Sequence, residues 1–442
     1  MAFTYHRSIT VDFTEVPSDQ VDFPVVVNFT NTTLKSRTNG GHVESEDGFD
    51  IGFYADSGAA IILKWEMERY NPVTGEVVAW VKLPNISSTV PTVFYIFYGD
   101  ASITTDQSDP TNVWSSAFMA AFHLKNGATL SRINSVTGIS ELSNNNVVTP
   151  AIGQIDGGAQ FNASSSQWLE AASGYHPTSA MTISAWVNAT SFPGAGVVES
   201  GFNPGPPFQS YQLGVRSDGK LSLNIKANSQ VSYDGLGSHT LLIATWYYLS
   251  LTYDSVNGLS GYVNGVLDFN VAPNGPININ FSPATVIGKI RTFSCCYWDG
   301  ILDEVRFLNA GRSVDQLLID YRNQISFGPF LTLGAEIAGT GACCLNGYCS
   351  ITTEADCIAS GGTYLGLNTE CGIPNPCCGG LGVAGSHPLR EVELPAKIFY
   401  KDEDITKLIR RTQRSNSMLE NFKIIGPTVS GSVEKGFAIG EL

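Results

Sequence analysis

Charge is scarce in this 442-residue chain: Asp, Glu, Lys and Arg make up 15% of it, against 43% hydrophobic residues. That balance excludes the low-hydrophobicity signature of disorder and leaves ample material for packed cores. Basic residues are the scarcer sign, 25 against 40 acidic, for a formal net charge of −15. A polyphosphate backbone would be repelled, so no nucleic acid is expected among the partners. Runs of about 18 apolar residues are absent, and no membrane insertion is expected. The six histidines (His6, His42, His123, His176, His239 and His387) are scattered, without a His-x-x-x-His pair, and Gly-x-Ser-x-Gly does not occur. The common zinc-hydrolase and serine-hydrolase signatures are therefore missing. His123, inside the apolar run 118–124, reads as a hydrogen-bonded core histidine.

What is present is strand after strand. Period-2 apolar or β-branched runs occupy 5–13, 23–29, 49–54, 61–70, 76–83 and 92–98, separated by turn clusters such as Thr38-Asn39-Gly40-Gly41 and Pro72-Val73-Thr74-Gly75. This predicts an antiparallel β-sandwich over residues 1–125. A polar stretch, 126–150, reads as a connector. A second β series fills 151–337, with Asn264-Gly265 between apolar alternations as a hairpin signal. Ser313 begins a helical pattern carrying Val314, Leu317, Leu318 and Tyr321. The fold class expected is all-β: two antiparallel β-sandwich domains of jelly-roll type, a small disulfide-rich module at 338–388 and a short mixed C-terminal tail at 389–442.

Cysteine is unevenly spread. Cys343, Cys344, Cys349, Cys357, Cys371, Cys377 and Cys378 cluster together, and Cys295 and Cys296 are adjacent. Adjacent cysteines without Cys-x-x-Cys spacing suit disulfides better than zinc, which implies an oxidising final location. The pairing is open. The first residues alternate as a strand and lack the basic and apolar regions of an export signal. In the tail, residues 402–414 read as a helix with Ile405, Leu408 and Ile409 on one face and Arg410 and Arg411 near its C-terminal end, a candidate for assembly docking.

Two stretches carry family resemblances. Tyr5-His6-Arg7-Ser8-Ile9-Thr10, Val78-Ala79-Trp80-Val81-Lys82-Leu83-Pro84 and Phe97-Tyr98-Gly99-Asp100 resemble an uncharacterised domain family found before lectin-like domains in bacterial surface proteins. Gly158-Ala159-Gln160-Phe161-Asn162, Met181-Thr182-Ile183-Ser184-Ala185-Trp186-Val187 and Gly300-Ile301-Leu302-Asp303-Glu304-Val305-Arg306 resemble the LamG-like, concanavalin A-type lectin and glucanase jelly rolls. The cysteine segment is similar to small repeats in bacterial extracellular and some bacteriophage proteins.

The jelly-roll resemblance implies glycan or protein binding and, in several members, a structural calcium ion. It places a metal-contacting Asp at Asp303, and Asp156 and Gly157 could add oxygen ligands; the alternative is that Asp303 caps a strand or pairs with Arg306. Loop-borne aromatics suit sugar stacking, which selects Trp298, Tyr297, Tyr233 and Phe208, with Asn203 as an amide donor. The competing reading buries Trp298 against Cys295 and Cys296. The glucanase pattern Glu-x-Asp-x-x-Glu is absent from the second domain, and Glu66 and Glu68, which share a strand face, read as solvated or salt-bridged. No enzyme activity is expected. The function expected is a virion surface protein, a capsid decoration or tail component made in the host cytoplasm, binding host-surface polysaccharide and other virion proteins as an oligomer or on a particle. A secreted polysaccharide-degrading enzyme or its accessory module, located extracellularly, is the alternative.

Overall fold

The computed structural model describes residues 3–371 apart from 126, 128, 178, 201–210, 228–230, 273–274, 278–283, 291–294, 347 and 368, and then 399–400 and 403–404. The chain divides into two compact units, Met1–Cys377 and Cys378–Leu442. In the second, Phe399–Tyr400 pairs with Glu403–Asp404 in an antiparallel hairpin, where the sequence pattern predicts the first turn of a helix. Ile405, Leu408, Ile409, Arg410 and Arg411 lie outside the described residues.

The first unit is all-β, as expected. Its N-terminal sandwich packs a three-stranded sheet, ordered Gln20–Thr30, Glu76–Ile86, Lys64–Asn71, over a four-stranded one, ordered Leu331–Ala338, Tyr5–Val11, Thr92–Tyr98, Gly52–Tyr54. Side chains alternate across a strand, so Val25, Val27, Val77, Ala79 and Val81 enter the sandwich core while Val26, Val78 and Trp80 face away from it into a separate apolar cluster with Val113, Trp114, Phe118, Ile155 and Leu308. Apolar residues on both faces mean that this sheet is covered twice, and the second cover is the jelly roll.

The jelly roll has a seven-stranded sheet and an eight-stranded one. The first runs Leu142–Asn145, Trp168–Ala171, Thr285–Ile287, Ala195–Ser200, Tyr211–Val215, Lys220–Ala227, Val231–Thr240. The second is centred on Gly300–Leu308 and Ala180–Ala189. Asn264 and Gly265, at φ of 54° and 74°, make the predicted two-residue hairpin between Gly258–Val263 and Val266–Val271, a turn that needs left-handed backbone at both positions. Ser313 caps the helix Val314–Ile325 in a capping box with Gln316. From that helix Asn323 accepts from the Val26 N–H at 2.7 Å and donates to the Val26 carbonyl at 3.0 Å, closing the free edge of strand Gln20–Thr30 against further pairing.

Sheet pairing departs from the boundaries read off the sequence. Phe118–Phe122, placed with the first domain, pairs with Gly300–Leu308 of the jelly roll, and Leu331–Ala338, placed in the second, returns to pair with Tyr5–Val11. The stretch read as a connector contributes Leu142–Asn145 and part of Thr149–Ile152 to the jelly-roll sheets. The two sandwiches are therefore interlaced. In the small module, strands Thr340–Leu345, Tyr348–Thr353 and Thr363–Leu367 and helix Glu354–Ala359 are stapled by Cys343–Cys357 and Cys349–Cys371. A Cβ on Gly362 would sit 2.6 Å from the Cys343 sulfur, so only glycine lets the chain pass that staple. Cys344 is also disulfide-bonded; Cys377 and Cys378 lie outside the described residues.

Candidate functional site

Two polar constellations stand out, one sealed between the sandwiches and one at the surface. The sealed one begins with alternation: on Lys64–Asn71, Trp65 enters the sandwich core, which turns Glu66 and Glu68 toward the jelly roll. Facing them, a bulge opposite Ala185 breaks the register between Asp303 and Arg306, with Glu304 at φ 50°. It keeps Leu302, Val305 and Phe307 in the jelly-roll core and leaves Asp303, Glu304 and Arg306 off that core, all fully buried. His123 lies between the two sides. Its Nδ1 is 2.7 Å from Glu304 and its Nε2 3.3 Å from Glu66. Trp114 and Ser135 donate to Glu66 at 3.2 and 2.7 Å, and Trp80 donates to Glu68 at 2.9 Å. Arg306 donates to Glu304 at 2.7 Å and lies 4.2 Å over the Trp80 ring.

Protonation in this cluster follows from its charge count. Five buried carboxyls (Glu66, Glu68, Asp303, Glu304 and Asp320) meet three cations, His123, Arg306 and Arg312. Burial disfavours the imidazolium, but Glu304, Glu66 and Glu68 outweigh it and hold His123 well above the usual histidine range. Burial also opposes ionisation of Glu66, yet His123 and the bonds from Ser135 and Trp114 bring that carboxyl down to about 2. Burial, against the pull of His123 and reinforced by Glu304, pushes Glu68 up to about 8, and burial with Glu304 and Glu68 raises Asp303. Glu68 and Asp303 thus hold the protons that balance the excess. Glu66 and Glu68 are not solvated, as one sequence reading had it. At 6% and 5% exposure they are closed to any substrate.

The calcium expectation fails on donor chemistry. Asp303 Oδ2 accepts two backbone N–H groups, from Gln154 and Ile155, each at 2.9 Å, so the neighbouring loop aims amide hydrogens at it where a calcium loop would aim carbonyls. Asp156 is taken by Arg69 at 2.7 Å, and Gly157 is in a strand pair with Ile152. Glu68, His123 and Glu304 bring one ligand atom each within 4.8 Å of one another, but a divalent ion there would displace the imidazolium proton and meet Arg306. Arginine and histidine fill the compensating role that a cation would have.

The surface constellation lies beside the seven-stranded sheet. Lys289 and Tyr297 face each other in an antiparallel bridge. The Lys289 ammonium lies 4.3 Å from the ring centre of Trp168 and 5.1 Å from that of Tyr297, the two rings being 6.0 Å apart. All three side chains are partly exposed. Cys295 and Cys296 are joined to each other immediately before Tyr297. Of the glycan residues read from the sequence, Tyr297 belongs here. Trp298 does not: at 1% exposure it is part of the jelly-roll core, because consecutive residues of an extended segment point to opposite sides. Tyr233 lies in strand Val231–Thr240 opposite Ile225; Asn203 and Phe208 are outside the described residues. Trp168 and Lys289 escaped sequence reading. Trp168 carries a signal, an aromatic preceding the inward Leu169 on an alternating strand, whereas Lys289 carries none.

These features define a class, an all-β protein of two interlaced sandwiches. Residues 162–317 match the profile of the family described as the concanavalin A-like lectin/glucanases superfamily, and residues 47–132 match that of a domain of unknown function, DUF2341. No curated protein matches the chain. Among solved structures, it is similar to domain 4 of the extracellular arabinanase AbnA from Geobacillus stearothermophilus, in complex with arabinotriose, at 16% identity and a TM-score of 0.39, over 46% of this chain and 97% of that one. It is also similar to the binding domain of Paraclostridial Mosquitocidal Protein 1, at 13% identity and a TM-score of 0.38, over 46% and 52%. A third is the binding domain of botulinum neurotoxin DC in complex with SialylT, at 13% identity and a TM-score of 0.36, over 47% and 52%.

Proposed function

We propose that this chain is a non-enzymatic, lectin-like binding protein that operates in an oxidising setting and takes up glycans on its jelly roll. The observation that carries the reading is the partly exposed pair Trp168 and Tyr297, whose rings lie 6.0 Å apart. Aromatic faces outside a core offer the C–H faces of a sugar the contact they seek. The disulfides of the small module support the setting, and the burial of Glu66 and Glu68 supports the absence of hydrolysis. A glycan array probed with the full chain tests the proposal. Binding to at least one glycan is expected, weakened roughly tenfold by Trp168→Ala, the size of about 1.4 kcal/mol. No binding anywhere on the array overturns it, and release of sugar from a bound polysaccharide overturns the non-enzymatic part. The virion setting has its own test: copurification with particles, abolished by removing residues 389–442.

A further inference from the structure

We infer that the surface around Lys289 takes an acidic sugar, a residue bearing a carboxylate such as a uronate or a sialate; this rests on the glycan reading above. The chain has few cations and a net charge of −15, and Lys289 is one that stands partly exposed on an aromatic surface. Among the described residues no acidic group lies within ion-pair distance of Lys289; the nearby Glu170 carboxylate accepts from the Trp168 indole N–H at 3.5 Å. The Lys289 ammonium is held instead by two ring faces, 4.3 Å from Trp168 and 5.1 Å from Tyr297. That arrangement restrains a flexible side chain while leaving its N–H donors free for an incoming anion.

The backbone fixes the geometry from both sides. Lys289 and Tyr297 are bridged, and the Ile290 N–H donates to the Cys296 carbonyl at 3.1 Å, so the two strands of this turn are tied. Trp168 is anchored independently, on a strand paired with Leu142–Asn145 and with Thr285–Ile287. The turn enters Tyr297 through Cys296 at φ 73°, a left-handed conformation that a non-glycine residue adopts only when its surroundings impose it. Here the imposing feature is the covalent link to Cys295. The disulfide, exposed at Cys295 and partly exposed at Cys296, immediately precedes Tyr297 in the chain and is apolar and polarisable. A sugar ring thus meets aromatic surface while its carboxylate meets the ammonium. Among the described residues one cation serves this surface, which suits an isolated acidic sugar.

The test compares binding of the full chain to paired neutral and carboxylated oligosaccharides, oligogalactose against oligogalacturonate and asialo against sialylated lactose, by calorimetry at low and moderate salt. The expected result is at least tenfold tighter binding of one carboxylated member over its neutral partner, a preference reduced by salt and erased by Lys289→Gln, with the melting temperature of the variant unchanged. Cys295→Ser with Cys296→Ser is expected to weaken both members of that pair by loosening Tyr297. Equal binding of neutral and acidic partners, or a preference that survives Lys289→Gln, overturns the inference and leaves the glycan reading standing. Failure of every oligosaccharide, together with an empty array, overturns both.

Discussion

Replacing the buried Glu68 by glutamine is expected to flatten the pH dependence of stability. Glu68 titrates near 8 in the folded protein, against an ordinary value of 4.5. A group whose pKa is raised by folding contributes stability below its unfolded value and withdraws it as pH rises toward the folded value. At 1.36 kcal/mol per unit, the withdrawal is about 1 kcal/mol at pH 5 and about 3 kcal/mol at pH 7. Glutamine keeps an acceptor for the Trp80 N–H, now 2.9 Å from Glu68 Oε2, and removes the proton. It also places an amide where Glu68 Oε1 has no partner among the described residues, at a cost of roughly 1–3 kcal/mol. That cost does not vary with pH.

The decisive quantity is therefore a difference of differences. Between pH 5 and pH 7, Glu68→Gln is expected to gain about 2 to 3 kcal/mol on the wild type, whatever its stability at either pH alone. His123 and Asp303, also raised by folding, tilt both proteins in the same direction and largely cancel. Urea unfolding followed by tryptophan fluorescence, with Trp80 and Trp114 packed against the cluster, measures it at half-unit intervals from pH 5 to 8. Parallel curves for the two proteins would mean that Glu68 holds no extra proton when folded, and the charge accounting of the interface would be refuted.

Three further perturbations test the same architecture. His123→Gln removes the cation between Glu66 and Glu304, and urea unfolding at pH 7 should show a loss of about 3–5 kcal/mol, the usual result of breaking a buried ion pair on one side; a loss under 1 kcal/mol would contradict an imidazolium at that position. Truncation after Phe330 removes the strand Leu331–Ala338 that pairs with Tyr5–Val11, so limited proteolysis should cut within residues 5–98 while the jelly-roll region resists; uniform resistance would argue against interlacing. Reduction of the small module, whose Cys343–Cys357 link closes a separation of 14 residues, should withdraw roughly 3 kcal/mol from it and raise hydrogen exchange at 340–367 without a comparable change in the jelly-roll core.

Local rules were legible in the sequence and pairings between distant residues were not. The Asn264-Gly265 turn, the Ser313 cap and strand Thr92–Tyr98 depend on neighbours within a few positions, and the structure has them where the pattern puts them. Phe118–Phe122 and Leu331–Ala338 are equally legible as strands. Which sheet each joins depends on partners more than 170 residues away in one case and more than 300 in the other, information that periodicity does not contain.

The same limit explains why the sequence left Glu66 and Glu68 open between solvated and salt-bridged, of which the structure has the second. Alternation of Trp65, Glu66, Met67 and Glu68 identifies a strand with one apolar and one polar face, and a polar face ordinarily meets water. Here it meets a second polar face, assembled from His123, Asp303, Glu304 and Arg306. A hint was available in the neighbouring strands: Val26, Val78 and Trp80 alternate with core residues, so the middle of both strands is apolar on both faces. A sheet with apolar residues at the centre of both faces is covered on both sides. Its remaining edge strand then lies under the same cover, so the glutamates on it must be buried and need buried cations to face them.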